Sequence, residues 1–233
     1  MTVTGDSGQA AYVLHVRRFS EHSLIVELFT QQSGRVTRIA KGARNAKHHR
    51  QAVLQPFIPL LVNWRGHGSM PSLTDVEAVG PPHRLVGILC YCGLYLNEVL
   101  LRLTASQDPH PIIFAHYTQT LVALAQSDGT NQQIEPILRV FECRLLQQLG
   151  LGLNLTQDIS GQPIDPESHY LYRMPQGPEP CVAQSASLRG STLLALATEH
   201  GLQSEHLREA RDLMRHVLHY HLEGRPLKSR DFF

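Results

Sequence analysis

Six basic residues stand between Arg35 and Arg50: Arg35, Arg38, Lys41, Arg44, Lys47 and Arg50, with two histidines and no acid among them. A strand and loop carrying cations without counter-charge can track a phosphate backbone while nearby aromatic rings stack on bases. In an extended strand Arg35 and Lys41 share a face with Ile39, and Arg38 points the other way. The aromatics at hand are Tyr12, Phe19, Phe29, Phe57 and Trp64, most of which belong to a core. On pattern alone, a solvated basic loop without a ligand accounts for the run equally well.

Three other groupings have the residue types for chemistry. His216, His219 and His221 lie near the end of a helical stretch, and histidines three apart can face one metal ion. Histidines late in a helix also satisfy terminal carbonyls and the helix dipole. No cysteine or carboxylate completes a ligand set here, so no metal site is expected. Cys90 and Cys92 are two apart on a helix, face away from each other and are read as packing. Arg139 and Glu142 are three apart, the spacing of an ion pair worth about 0.2–0.5 kcal/mol. The alternative is a guanidinium fork that anchors a ligand carboxylate; pattern alone favours the ion pair.

Signatures of enzymes are missing. The chain has no GxxxxGK[ST] phosphate loop, no GxGxxG after a strand, no HExxH and no GxSxG. The expectation is a protein that is not an enzyme and needs no cofactor.

With 233 residues, 42% hydrophobic and 18% charged, the chain has an ordinary globular composition. A net charge of +1 makes any basic patch a local one. No window approaches the ~18 uninterrupted apolar residues of a membrane span. Residues 1–9 lack the layout of a secretory signal. Four cysteines without a CxxC pair suit reduced thiols, and hence a cytoplasmic protein.

The elements that must position these residues change character along the chain. Up to residue 80 the pattern is of short strands: Tyr12–Val16, Leu24–Phe29, Arg35–Lys41, Pro56–Trp64 and Leu73–Val79, with Gly66 and Gly68 as turn signals. Five closely spaced strands predict a small barrel. Pro81 and Pro82 mark a boundary, and residues 83–233 read as helical. One apolar stripe runs from Leu85 to Leu103. A second helix is expected with Asp108 as cap and Pro109 at its first position, reaching Gln126. A third spans about Gln132–Leu149, and two more follow around Leu188–His200 and Ser204–Leu222. Residues 150–187, rich in Gly and Pro, read as an irregular or small-hairpin insert. The fold class is α+β.

Particular strings then carry a resemblance. Ala40-Lys41-Gly42-Ala43-Arg44, Leu54-Gln55-Pro56-Phe57, Gly93-Leu94-Tyr95-Leu96-Asn97-Glu98 and Pro226-Leu227-Lys228-Ser229-Arg230, in this order and spacing, resemble the RecO family of bacterial recombination mediators. The resemblance covers nearly the whole chain. It implies an N-terminal OB-fold barrel over 1–80 and a helical domain over 83–233. It implies binding of single- and double-stranded DNA, strand annealing, and cooperation with RecR in loading RecA onto DNA coated by the single-strand-binding protein, in association with the nucleoid. Arg35, Arg38, Lys41, Arg44, Lys47, Arg50, Lys228 and Arg230 are then the DNA-binding candidates. Arg139 becomes the candidate for the terminal carboxylate of the coating protein's acidic, Phe-ended tail. Some family members carry a four-cysteine zinc site; residues 150–187 hold only Cys181, so that site is not expected here. The competing reading is a repair adaptor without significant DNA binding of its own.

Overall fold

The structure, a computed structural model, describes residues 8–43, 50–66, 70–198 and 201–229. It divides into two compact units, residues 1–125 with 227–233, and residues 126–226.

In the first unit, alternating or wholly apolar runs form strands β1 (Gln9–Arg18), β2 (Leu24–Thr30), β3 (Gly34–Ala40), β4 (Leu60–Arg65) and β5 (Ser72–Ala78). A short helix α1 (Arg50–Val53) lies between β3 and β4. The strands close into a barrel in the order β1-β2-β3-β5-β4, the arrangement of an OB-fold. Val13, Val26, Leu28, Val36, Leu60 and Val62 are buried in its centre. The seam between β3 and β5 is thin: one parallel pair, Ile39 with Ser72, joins them.

Helices α2 (Ile88–Leu103) and α3 (Pro111–Gln126) complete this unit. Helix α3 starts at Pro111 rather than at Pro109. The residue before a proline is pushed out of the helical region. His110 precedes Pro111, so a helix begun at Pro109 would be interrupted one residue later. Phe114 N–H instead bonds the His110 carbonyl, and Pro111 takes the position where no N–H is needed.

Strand β1 carries a bulge at Leu14: Val13 pairs with Leu28 and His15 with Glu27. A bulge leaves backbone groups outside the ladder, and buried ones must find other partners. Asn97 on α2 supplies them, its Nδ2 donating to the Leu14 carbonyl at 3.1 Å and more weakly to that of Val13 at 3.4 Å. Its Oδ1 accepts the hydroxyl of the buried Tyr117 on α3. Tyr117 also packs edge-on against Tyr12 and Phe29, with ring centroids 5.3 and 6.2 Å away. One side chain thus ties barrel, α2 and α3 together.

Two neighbours of Asn97 work in the same way. A Cβ on Gly93 would stand 2.6 Å from the Phe57 ring, so α2 reaches the barrel only because residue 93 has no side chain. The Glu98 carboxylate accepts the Ser229 N–H at 2.8 Å, the Ser229 hydroxyl at 2.7 Å and the Lys228 N–H at 3.1 Å, docking the closing segment on α2. Burial alone would raise the Glu98 carboxyl, but these bonds outweigh it and hold it below the usual carboxylate range.

The second unit contains α4 (Asn131–Gln148), β6 (His169–Arg173), β7 (Gly177–Cys181), β8 (Leu188–Arg189), α5 (Gly190–Ala197) and α6 (Leu207–His221). The 150–187 stretch folds into a hairpin, β6 with β7, and β8 adds to the other edge of β6. Helices α4 and α6 pack together through apolar stripes that include Leu138, Phe141, Leu213 and Val217. Glu209 binds the Arg189 N–H and guanidinium, fixing the start of α5 on α6. No helix among the described residues is long and apolar enough to cross a membrane.

Replacing Asn97 by Ala leaves the buried Leu14 carbonyl without the amide that satisfies it and removes the acceptor of the Tyr117 hydroxyl. The expected loss of stability is about 1–3 kcal/mol, read as a lower urea midpoint at unchanged slope. An unmoved midpoint would show that water reaches the bulge.

Candidate nucleic-acid interface

The barrel's register brings separated cations to one end. Arg18 pairs with Leu24, Leu24 with Ala40, Ile39 with Ser72, and Ser72 with Arg65. The ends of β1, β3 and β4 and the starts of β2 and β5 therefore meet at the same rim. Arg17, Arg18, Lys41 and Arg65 are exposed there. Phe19, 53% exposed, stands in the β1–β2 loop, where its N–H bonds the Ser23 carbonyl at 3.1 Å. Glu21 on the same loop is the acid nearest in sequence. Cations around an exposed aromatic on OB-fold loops suit phosphates with a base stacked between them.

The basic run itself is divided by the pleat. Arg35 is half-buried: its Nη1 lies 3.5 Å from Glu27, and its Nε donates to the Thr104 carbonyl at 3.2 Å. Arg38 points to the inner side of β3 with Val36 and Ala40 and is 6% exposed. Lys41 alone of these three reaches solvent fully. Arg50 opens α1. Arg44, Lys47 and Arg230 lie outside the described residues. Lys228 is exposed on the docked closing segment. Of the candidate aromatics, Tyr12, Phe29 and Phe57 are buried, and Trp64 is half-buried.

Arg17, Arg18 and Arg65 are rim cations that the charge run does not reveal, because they lie outside it, as one pair and one single residue beside apolar neighbours. Their signal was positional. Arg17-Arg18-Phe19 lies between two strand patterns, where an OB-fold presents a binding loop.

In the second unit Arg139 is 4% exposed. Its guanidinium lies 2.8 Å from the fully buried Glu142 and 3.6 Å from Glu135, which Arg211 of α6 approaches at 3.7 Å. This chain of alternating charge links α4 to α6. It places a guanidinium on the apolar helix, with carboxylates of the protein itself on it. Near the end of α6, His216 and His219 are exposed. Among the described residues, no three His, Cys, Asp or Glu side chains come together as a metal-ligand group.

Two family models match the chain: "Recombination protein O N terminal" over residues 6–82 and "Recombination protein O C terminal" over residues 85–231. Among curated relatives, the DNA repair protein RecO of Methylococcus capsulatus is 44% identical over 224 residues, 96% of this chain and 91% of that protein. The protein of the same name from Halorhodospira halophila is 43% identical over 236 residues, covering 99% and 98%. That of Pseudomonas aeruginosa is 43% identical over 228 residues, covering 97% and 94%.

Proposed function

The chain belongs to the RecO family, and from that premise we propose that it serves DNA repair and recombination as a strand-annealing mediator without catalytic activity. It binds single- and double-stranded DNA through the barrel rim, anneals complementary strands, and helps RecR to load RecA on DNA coated by the single-strand-binding protein. The observation that supports this reading is the convergence of Arg17, Arg18, Phe19, Lys41 and Arg65 on one rim. Arg44 and Lys47, which follow Lys41 in the sequence, and Arg50, Lys228 and Arg230 are further candidate contacts. In this reading Arg35 and Arg38 act behind the rim rather than on it. The protein works on the nucleoid, in the cytoplasm.

Annealing requires no nucleotide, because base pairing supplies the free energy. Rim cations lower the repulsion between two polyanions and release counterions. A tether to the coating protein raises the local concentration of strands. The tether is the acidic, Phe-ended tail, whose terminal carboxylate takes Arg139. To do so it competes with Glu135 and Glu142 for the guanidinium.

Complementary oligonucleotides coated with the cognate single-strand-binding protein should anneal rapidly when this protein is added without ATP or metal. No acceleration on coated or naked strands would favour the adaptor reading. Replacing Arg18 and Lys41 together by Ala should flatten the salt dependence of single-strand affinity by about 0.7 log units per lost phosphate contact. An unchanged slope would remove the rim from the interface. Glu135→Gln, which removes one carboxylate charge from beside Arg139, should raise the affinity for an acidic peptide ending in Phe several-fold by fluorescence anisotropy. Unchanged affinity would place the tail elsewhere.

A further inference from the structure

Behind the rim, a cavity of about 290 Å³ opens beside the thin β3–β5 seam. Its apolar walls are Val36 and Val62 of the barrel, Pro109 and the Trp64 ring. Its polar groups are Arg38, Ser33 and the amides of Gln9, Gln32, Asn63 and Gln107, and among the described residues neither acid nor lysine lines it.

Arg38 is the unusual member. Its guanidinium carbon lies 4.2 Å over the Trp64 ring, and Nη1 donates to the Thr37 carbonyl at 2.9 Å. Its Nε is buried and has no hydrogen-bond partner among the described residues. Burial pushes its pKa down to about 10, which leaves it a cation at neutral pH. The carboxylate of Glu27, which pairs with Thr37 across the strands, is engaged by Arg35 and by the Thr37 hydroxyl. A buried cation with no carboxylate on it among the described residues is costly, and an aromatic face offsets only part of that cost. With no carboxylate on it among the described residues, a guanidinium that lines the cavity offers its N–H groups there to an acceptor from outside the chain.

The cavity wall is held in place. Gly34, at φ +64°, lets the loop between α2 and α3 close on the barrel; a Cβ there would stand 1.8 Å from the Asp108 carbonyl oxygen. The Gln107 N–H donates to the Arg35 carbonyl at 2.8 Å, and Arg35 Nε grips Thr104 in return. Arg35 is thus a positioning residue for the Gln107–Pro109 wall.

The chemistry of the lining selects among ligands. An anion asks for donors only, and a bare phosphate leaves the apolar walls and most of the cavity unused. Side-chain amides offer donors and acceptors together, as the edge of a nucleobase requires, and the apolar walls suit its faces. A guanidinium presenting two N–H groups side by side matches the O6 and N7 acceptors of guanine. We propose that this cavity takes one unpaired guanine base of a single strand, with Arg38 forked onto O6 and N7 and the amides of the lining on its remaining edge. The inference rests on the DNA-binding reading above and deepens it, because the rim would hold the backbone while the cavity holds a base.

Trp64 is the only tryptophan of the chain, so intrinsic fluorescence reports on the cavity directly. Titrating the full chain with deoxyguanosine should change that fluorescence saturably, with a midpoint roughly tenfold below that for thymidine, the discrimination of one bidentate contact. A response to inorganic phosphate alone, equal responses to both nucleosides, or no response would overturn the proposal. In a second arm, a labelled thymine oligonucleotide with one central guanine should bind roughly tenfold tighter than the all-thymine strand. Arg38→Lys should bring that ratio near one. Asn63→Ala, at a half-exposed position, should lower it if the Arg38 variant does not fold. Binding of both strands with equal affinity would overturn the cavity while leaving the rim reading intact. Failure to bind either strand would overturn the rim reading, and the nucleoside titration would still decide the cavity.

Discussion

The hydrogen bonds of Asn97 are the constraint on which the first unit depends. An extra residue in β1 bends the strand and leaves the carbonyl of the buried Leu14 outside the ladder. Only a polar side chain of the right length, arriving from outside the barrel, can satisfy that carbonyl. Asn97 does so with its nitrogen and uses its oxygen for Tyr117, so the same amide sets the position of both helices. Gly93 removes the obstacle to that approach and Glu98 uses it to hold the closing segment. Three of the strings that resemble the family, around Phe57, around Asn97 and around Ser229, therefore meet in one set of contacts. They are architectural strings, and this is why they identify the fold more firmly than they identify a site.

Charge is arranged around this frame by the pleat of β3. Successive side chains of a strand face opposite ways, so a basic run that looks uniform in sequence is separated into different environments. Arg35 faces Glu27 and the loop at Thr104, where it is structural. Arg38 faces inward and meets Trp64. Lys41, beyond the strand's end, reaches the solvent rim. The rim gains its other cations from Arg17, Arg18 and Arg65, which closure of the barrel carries to the same end. A chain of net charge +1 thereby presents a positive edge without being basic overall.

The second unit uses charge differently. Arg139, Glu142, Glu135 and Arg211 form a line between α4 and α6 in which Glu142 is fully buried. Pairing with the guanidinium compensates the removal of that carboxylate from water, and the alternation of sign fixes how the two helices meet. A guanidinium so placed already carries carboxylates of the protein itself.

The sequence by itself determined the fold class, the barrel-then-helices order and the positions of most strands and helices, because periodicity of apolar residues reports directly on which faces are buried. The strings over 40–44, 54–57, 93–98 and 226–230 carried the family resemblance, and those around Phe57, Asn97 and Ser229 are tied to specific approaches between elements. It placed the start of α3 two residues early, since Asp108-Pro109 and His110-Pro111 carry the same local signal and only the second leaves the following chain free to coil. What only the tertiary structure decided is which cations share a surface and which are spent inside. Adjacent residues in a strand face apart, while Arg18 and Arg65, 47 positions distant in sequence, reach the same rim through strand pairing. The same holds for the Arg38 cavity. Its walls come from three strands, a turn and the α2–α3 loop, and no local pattern encodes the space left between elements that meet only when the barrel closes.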